Sequence, residues 1–206
     1  MIPIDVDAMN VDVVVFTGHK SLMGPTGIGG LYVREGVEIA LTRAGGTGVR
    51  SAVRTHLEEY PYRLEYGTVN LLGVAGLNAG VRWVLDRGLD DIHAEEMRLT
   101  TMLRDGVRDI RGATTYCQDD LTNHVPVFLF NVDGLEAEAA GPLLDVDHGI
   151  ACRTGLHCAP LIHDHLGTTG IHGAVRFSIG PFNTEDHVRS AIAAVQDIAS
   201  MRNSTR

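Results

Sequence analysis

Three segments carry side chains whose type and setting could do covalent chemistry. The first is Thr17-Gly18-His19-Lys20, which follows the near-continuously apolar run Val11 to Phe16 and places an amine at a strand end beside small residues and an imidazole. A desolvated amine is favoured in its neutral form, the condition for forming a Schiff base with a carbonyl. The plainer alternative is a solvated loop lysine. A phosphate loop is not among the alternatives, because Lys20-Ser21 lacks the glycine-rich approach of the Walker pattern.

The second segment is Arg153-Thr154-Gly155-Leu156-His157-Cys158-Ala159-Pro160, a loop bounded by Gly and Pro. Cationic neighbours such as Arg153 and His157 favour a thiolate, which is the nucleophilic form of cysteine. An inert cysteine is the other reading, and it suits Cys117 and Cys152 better, since both fall within predicted strands. The third is Arg176 in Val175-Arg176-Phe177-Ser178, an arginine inside an apolar strand that needs an anionic partner. That partner is either a buried carboxylate of the chain or the carboxylate of a substrate clamped by a guanidinium fork. A zinc site built from Cys152, His157, Cys158, His163, His165 and His172 has poor spacing. It offers no C-x₂-C pair, and a strand through His163-Asp164-His165 would point its two imidazoles apart.

Elements must position these groups. Val11 to Phe16 and Ile28 to Arg34 read as buried strands joined by the polar, Gly-rich loop Thr17 to Gly27. From Ala44 to Thr68 no periodicity lasts, and Pro61 argues against a helix. Asn70 to Arg87 repeats apolar residues on a 3.6-residue period, with Thr68 or Asn70 as N-cap and Gly88 as stop. Asp90 to Arg111 repeats that pattern and ends at Gly112. Beyond it, strands at Thr114 to Cys117, Val125 to Asn131, Ile150 to Arg153 and Ala174 to Ile179 alternate with helices at Leu135 to Asp145 and Thr184 to Met201, the last capped by Asn183. The reading is therefore an α/β chain of two units, 1–88 and 89–206, the second a self-contained layer of mixed sheet and helices. The first looks incomplete, since two strands, a long loop and a helix cannot cover both faces of a buried sheet.

Composition narrows the classes. The 206 residues are 44% hydrophobic and 21% charged with a net charge of −9, which excludes disordered and collagenous chains and lacks the footprint of a nucleic-acid or acidic-membrane binder. No apolar run approaches the ~20 residues that span a bilayer, and no secretory leader opens the sequence. Three cysteines, an odd number, suit reduced thiols in a cytoplasmic protein.

Taken together, TGHK, GPTGIGGLYVR, RLEYGTVN, RTGLHCAP, GAVRFS and FNTED closely resemble, in order and spacing, the class V pyridoxal-phosphate family, specifically its cysteine desulfurase branch. The resemblance runs over essentially the whole chain. It implies an aspartate-aminotransferase-type fold, with 1–88 as part of the large cofactor domain and 89–206 as the complete small C-terminal domain. It implies pyridoxal 5'-phosphate as cofactor and Lys20 as its Schiff-base lysine. Thr17 and His19 would contact the cofactor phosphate, and Thr68 would reach the phosphate of the neighbouring subunit in a homodimer. Arg176 would clamp the substrate carboxylate, and Cys158 would accept sulfur, flanked by Arg153. The implied reaction converts L-cysteine, or a related amino acid, to alanine and a Cys158 persulfide passed to a sulfur-acceptor protein. The stretch His163 to Thr168 is similar to that of a subgroup of desulfurase-like proteins.

The departure from the family is at the front. There the segment preceding the lysine motif supplies the residue stacked on the cofactor ring and the aspartate paired with the pyridine nitrogen, and no aspartate here matches that role. The expectation is of a C-terminal half that needs the missing half for activity. Another class V reaction, transamination or β-elimination, and an inactive fragment are the alternatives.

Overall fold

The apolar runs flanking the Thr17–Gly27 segment form β1 (Val13–Thr17) and β2 (Gly29–Val33), paired antiparallel with Val13 opposite Val33 and Thr17 opposite Gly29. The computed structural model describes residues 2–203, and the chain divides into one compact unit over Ile2–Leu89 and another that begins at Asp90. The expectation of buried strands is not met in the first unit, where Val15 is 77% exposed. β1 and β2 form a two-stranded ribbon, and two strands have no neighbours with which to cover both faces. Residues 35–70 hold no regular element beyond one 3₁₀ turn, Tyr62–Leu64, directly after Pro61.

Helix α1 (Leu71–Arg87) begins where the Asn70 side chain accepts from the Gly73 N–H, and it stops at Gly88, φ +87°. Both signals are the ones read from the sequence. Gly80 on α1 lies so close to the backbone of Leu22 and Met23 that a Cβ there would collide with the Leu22 carbonyl. The loop that carries Lys20 is thus seated on the bare helix backbone, a contact only glycine permits.

The second unit opens with α2 (Leu89–Arg108) and continues through β3 (Ala113–Thr115), β4 (Val127–Val132), α3 (Ala137–Pro142), β5 (Arg153–Gly155), α4 (Pro160–Leu166), β6 (Ala174–Ser178) and α5 (Glu185–Asn203). The sheet order is β3-β4-β6-β5 and every pairing is antiparallel, which corrects the expected mixed sheet. Alternation along the strands decides the two faces. Phe128, Phe130, Val175 and Phe177 join Leu99 and Leu103 of α2 and Val188 and Val195 of α5 in one core. Leu129 and Arg176 take the opposite face. Arg98 on α2 bonds Glu185 on α5 at 2.7 Å and Glu95 at 2.8 Å, which ties the two helices at the surface.

Several elements differ from the sequence reading. Ile150 and Cys152 pack against the core as irregular chain, so β5 starts only at Arg153; Cys117 likewise lies outside β3. The helix predicted from Leu135 to Asp145 is α3 followed by a π-helical turn, Leu143–Asp147, at the point where Pro142 withholds a backbone N–H. The His163-Asp164-His165 segment is not a strand but lies in α4, entered through Pro160 and closed by Gly167 at φ +69°. At α5 the hydroxyl that caps is Thr184, which accepts from the His187 N–H at 3.4 Å, while Asn183 turns back to accept from the Gly180 N–H at 2.8 Å.

Phe128 is fully buried and stacks on Phe130 at 5.9 Å between ring centroids. Phe128→Ala should lower unfolding stability by about 3–5 kcal/mol, read as a shift of the urea midpoint in far-UV circular dichroism. An unshifted midpoint would mean that this ring is not central to the core.

Candidate active site

In the first unit, β1 ends at Thr17 and the chain folds back through a hydrogen bond from the Gly24 N–H to the Gly18 carbonyl at 2.8 Å. This turn brings Thr17 and His19 together, with Thr17 Oγ1 2.9 Å from His19 Nδ1. Lys20 follows them, exposed, with its carbonyl accepting from the Met23 N–H at 3.0 Å. Among the chain's basic residues sixteen are arginine and Lys20 is the only lysine. A guanidinium stays protonated throughout the accessible pH range and forms no imine, so among the side chains of this chain Lys20 alone offers amine chemistry. Thr68 is exposed on the loop before α1, beside a cleft of about 400 Å³ lined by Thr47, Gly48, Tyr62 and Gly67. Among the described residues no hydrogen bond joins it to Thr17, His19 or Lys20.

In the second unit, β5 and β6 pair with Arg153 opposite Arg176 and Gly155 opposite Ala174. Cross-strand partners share a face, and like charges set directly opposite each other are unfavourable without an anion between them. Arg176 Nε is buried and has no hydrogen-bond partner. The buried carboxylate that would have satisfied it within the chain is not present among the described residues. Arg153 Nη2 donates to Cys158 Sγ at 3.4 Å. Two cations and an exposed thiol therefore meet on one face, in a setting that suits an anionic ligand carrying sulfur.

The backbone at the thiol is held in an uncommon form. His157 and Cys158 are consecutive residues with φ +55° and +59°, and a left-handed conformation costs a non-glycine residue about 1–3 kcal/mol. Behind them runs a chain of side chains that sequence reasoning did not find. His157 Nε2 lies 3.2 Å from the Arg153 carbonyl, His157 Nδ1 lies 3.1 Å from His163 Nε2, and His163 Nδ1 lies 2.7 Å from Thr168 Oγ1. His163 and Thr168 are buried. Burial pushes the His157 imidazole below its ordinary range, assisted by the charges of Arg176, His163 and Arg153 and opposed by the bond to the Arg153 carbonyl. Of the candidate zinc ligands only His157 and His163 bond each other, and no group of three His, Cys, Asp or Glu residues able to hold a metal occurs among the described residues.

The aminotransferase class-V family model matches residues 1–190. Among curated proteins, the chain is 32% identical over 202 residues to a probable cysteine desulfurase of Methanothermobacter thermautotrophicus, covering 96% of this chain and 50% of that protein. It is 35% identical over 202 residues to a cysteine desulfurase of Shigella flexneri, covering 95% of this chain and 48% of that protein. Among solved structures, the apo cysteine desulfurase of Thermococcus onnurineus NA1 superposes with a TM-score of 0.86 at 34% identity, covering 95% of this chain and 48% of that one. The fold is that of the pyridoxal-phosphate-dependent desulfurases. The chain belongs to the aminotransferase class-V family, and it spans about half the length of the curated relatives it matches.

Enzymes of this family depend in general on pyridoxal phosphate, and the residues present fit that group in their chemistry. Thr17 and His19 offer a hydroxyl and a ring N–H for a phosphate, Lys20 offers the amine for an aldehyde, and the unpartnered Arg176 Nε offers a donor for a carboxylate. Among the described residues, no helix is long and apolar enough to cross a membrane.

Cys158 is exposed beside Arg153, whereas burial pushes the Cys117 and Cys152 thiols up. A raised thiol holds less thiolate at any given pH below it. Iodoacetamide at pH 7 should therefore alkylate Cys158 first, as read by peptide mass spectrometry, and Arg153→Gln should slow it. Equal labelling of the three thiols would remove Cys158 from the candidate nucleophiles.

Proposed function

We infer that this chain carries the lysine and the sulfur-accepting cysteine of a cysteine desulfurase. The observation that supports it best is the facing pair Arg153 and Arg176, one touching Cys158 Sγ and the other with a buried, unpartnered Nε. A substrate bearing both a carboxylate and a thiol answers both demands at once. Thr17 and His19 would hold pyridoxal phosphate through its phosphate and Lys20 through its aldehyde, and the group would supply the electron sink that labilises bonds at the α- and β-carbons of an amino acid. In a homodimer Thr68 would add a hydroxyl to the phosphate bound by the neighbouring subunit.

The chain's own residues then do the following. Arg176 holds the L-cysteine carboxylate by charge-assisted hydrogen bonds. Lys20 Nζ takes the α-proton and returns a proton to carbon. Cys158 thiolate attacks the substrate sulfur; the new S–S bond forms as the Cβ–S bond breaks, and the electron pair released to carbon is protonated. Sulfur is oxidised and carbon reduced by the same two electrons, so alanine and a Cys158 persulfide balance the step. An acceptor protein in the cytoplasm would collect that sulfur.

The test uses the protein with pyridoxal phosphate and borohydride. The label is expected on Lys20, and label confined to the terminal amine overturns the cofactor assignment. With the segment that precedes the lysine motif in the family supplied as a second chain, one added sulfur on Cys158 and an equal amount of alanine are the expected result after L-cysteine, lost in Cys158→Ser. Pyruvate and sulfide with no Cys158 adduct would instead establish β-elimination.

A further inference from the structure

The side-chain chain behind Cys158 has a direction that can be worked out from its fixed ends. The Arg153 carbonyl only accepts, so His157 Nε2 carries the proton that reaches it. A neutral His157 then presents a bare Nδ1, which His163 Nε2–H must supply. His163, neutral in turn, presents a bare Nδ1 to the Thr168 hydroxyl, which donates across 2.7 Å. Every donor meets an acceptor with both imidazoles uncharged. A second proton on His157 would reverse His163 and turn the Thr168 hydroxyl to its remaining acceptor, the His163 carbonyl, at 3.4 Å. The 2.7 Å contact is then kept with its direction reversed, His163 Nδ1–H donating to Thr168 Oγ1, so the network itself accommodates either state. Burial and the positive charges of Arg153 and Arg176 beside the His157 ring favour the neutral one.

The local fold places Thr168 over His163. Gly167 N–H bonds the Asp164 carbonyl at 3.2 Å and Thr168 N–H bonds the His163 carbonyl at 2.9 Å, the paired bonds of a Schellman ending of α4. Gly173 N–H bonds the Thr168 carbonyl at 2.9 Å, which fixes the same residue to the start of β6. His157 is therefore held between the Arg153 carbonyl of β5 and the buried His163. It immediately precedes Cys158, and both residues sit in the left-handed region from which an unclamped chain relaxes.

We propose that His163 and Thr168 are positioning residues of the sulfur-accepting site: through His157 they hold the Cys158 backbone in its left-handed form and so keep Sγ against the Arg153 guanidinium. The proposal rests on the reading of Cys158 as nucleophile given above. Its test compares the full chain with Thr168→Val, which keeps the side-chain shape and removes the hydroxyl, and with Thr168→Ser, which keeps the hydroxyl. Two readouts are taken at neutral pH: the imidazole ¹⁵N spectrum, which reports the His157 and His163 tautomers, and the rate of Cys158 alkylation. Wild type should show both rings protonated at Nε2. Thr168→Val should mix the tautomers and slow Cys158 by on the order of tenfold, the scale of one buried hydrogen bond, and Thr168→Ser should restore both. Unchanged spectra or an unchanged rate in a Thr168→Val protein with native circular dichroism overturns the proposal. A wild-type Cys158 no faster than Cys117 and Cys152 overturns the desulfurase reading instead, and the spectra then decide the relay alone.

Discussion

The register of β6 between β4 and β5 is the constraint on which the second unit's chemistry depends. Val175 and Phe177 face the core with Phe128 and Phe130, so a slip of one residue would bury Arg176 and expose two large apolar side chains. Hydrophobic burial at roughly 25 cal/mol per Å² outweighs the repulsion of two partly hydrated cations. Arg176 is thereby forced onto the face where Arg153 also stands. The pairing is closed by glycine: Gly173 approaches Gly155 so nearly that a Cβ would strike the Gly155 backbone. Core packing thus produces an electrostatic demand that the carboxylates of the described residues leave unmet.

The same register sets where the loop to α4 must begin. From Gly155 the chain has to leave the sheet edge and enter a helix at Pro160, with four residues between them. Left-handed His157 and Cys158 accomplish that reversal. Strain of this kind persists only where the surroundings over-determine it, and here the Arg153 carbonyl and the buried His163 do so from two sides. The strain belongs to the loop's geometry first. Its chemical consequence is an exposed sulfur presented to a guanidinium.

Much of this was legible in the sequence because it is local. Asn70 and Gly88 bound α1 through contacts within one turn, and the Thr17-to-Lys20 run marks a strand end without tertiary knowledge. Arg176 was legible as a cation in an apolar strand, but its partner residue was not, since Arg153 meets it only through the sheet register. Helix α4 has seven residues, too few to display a period, although Pro160 and Gly167 mark its two ends. The His157, His163 and Thr168 contacts arise from that helix and were hidden with it. The exposure of β1 follows from the shortage of cover that made the first unit read as incomplete, because a near-continuously apolar run records what a strand could bury and not what covers it. The relatives' length, twice that of this chain, adds no residue to its described part.

The two units place different demands on rigidity, and their cores differ accordingly. The unit from Asp90 onward holds nearly all the buried apolar side chains, whereas the first unit contributes Leu57 and Val84. A cysteine has one side-chain torsion, so the backbone decides where its sulfur lies, and a sulfur-to-sulfur attack requires that position to be held within a fraction of an ångström. Such a residue belongs on a rigid core. In the role proposed for it, Lys20 reaches on four flexible carbons and would move a proton between positions as well as bond a carbonyl. For it, a loop seated on the backbone of α1 at Gly80 is sufficient: the attachment fixes the Cα, and the side chain supplies the travel.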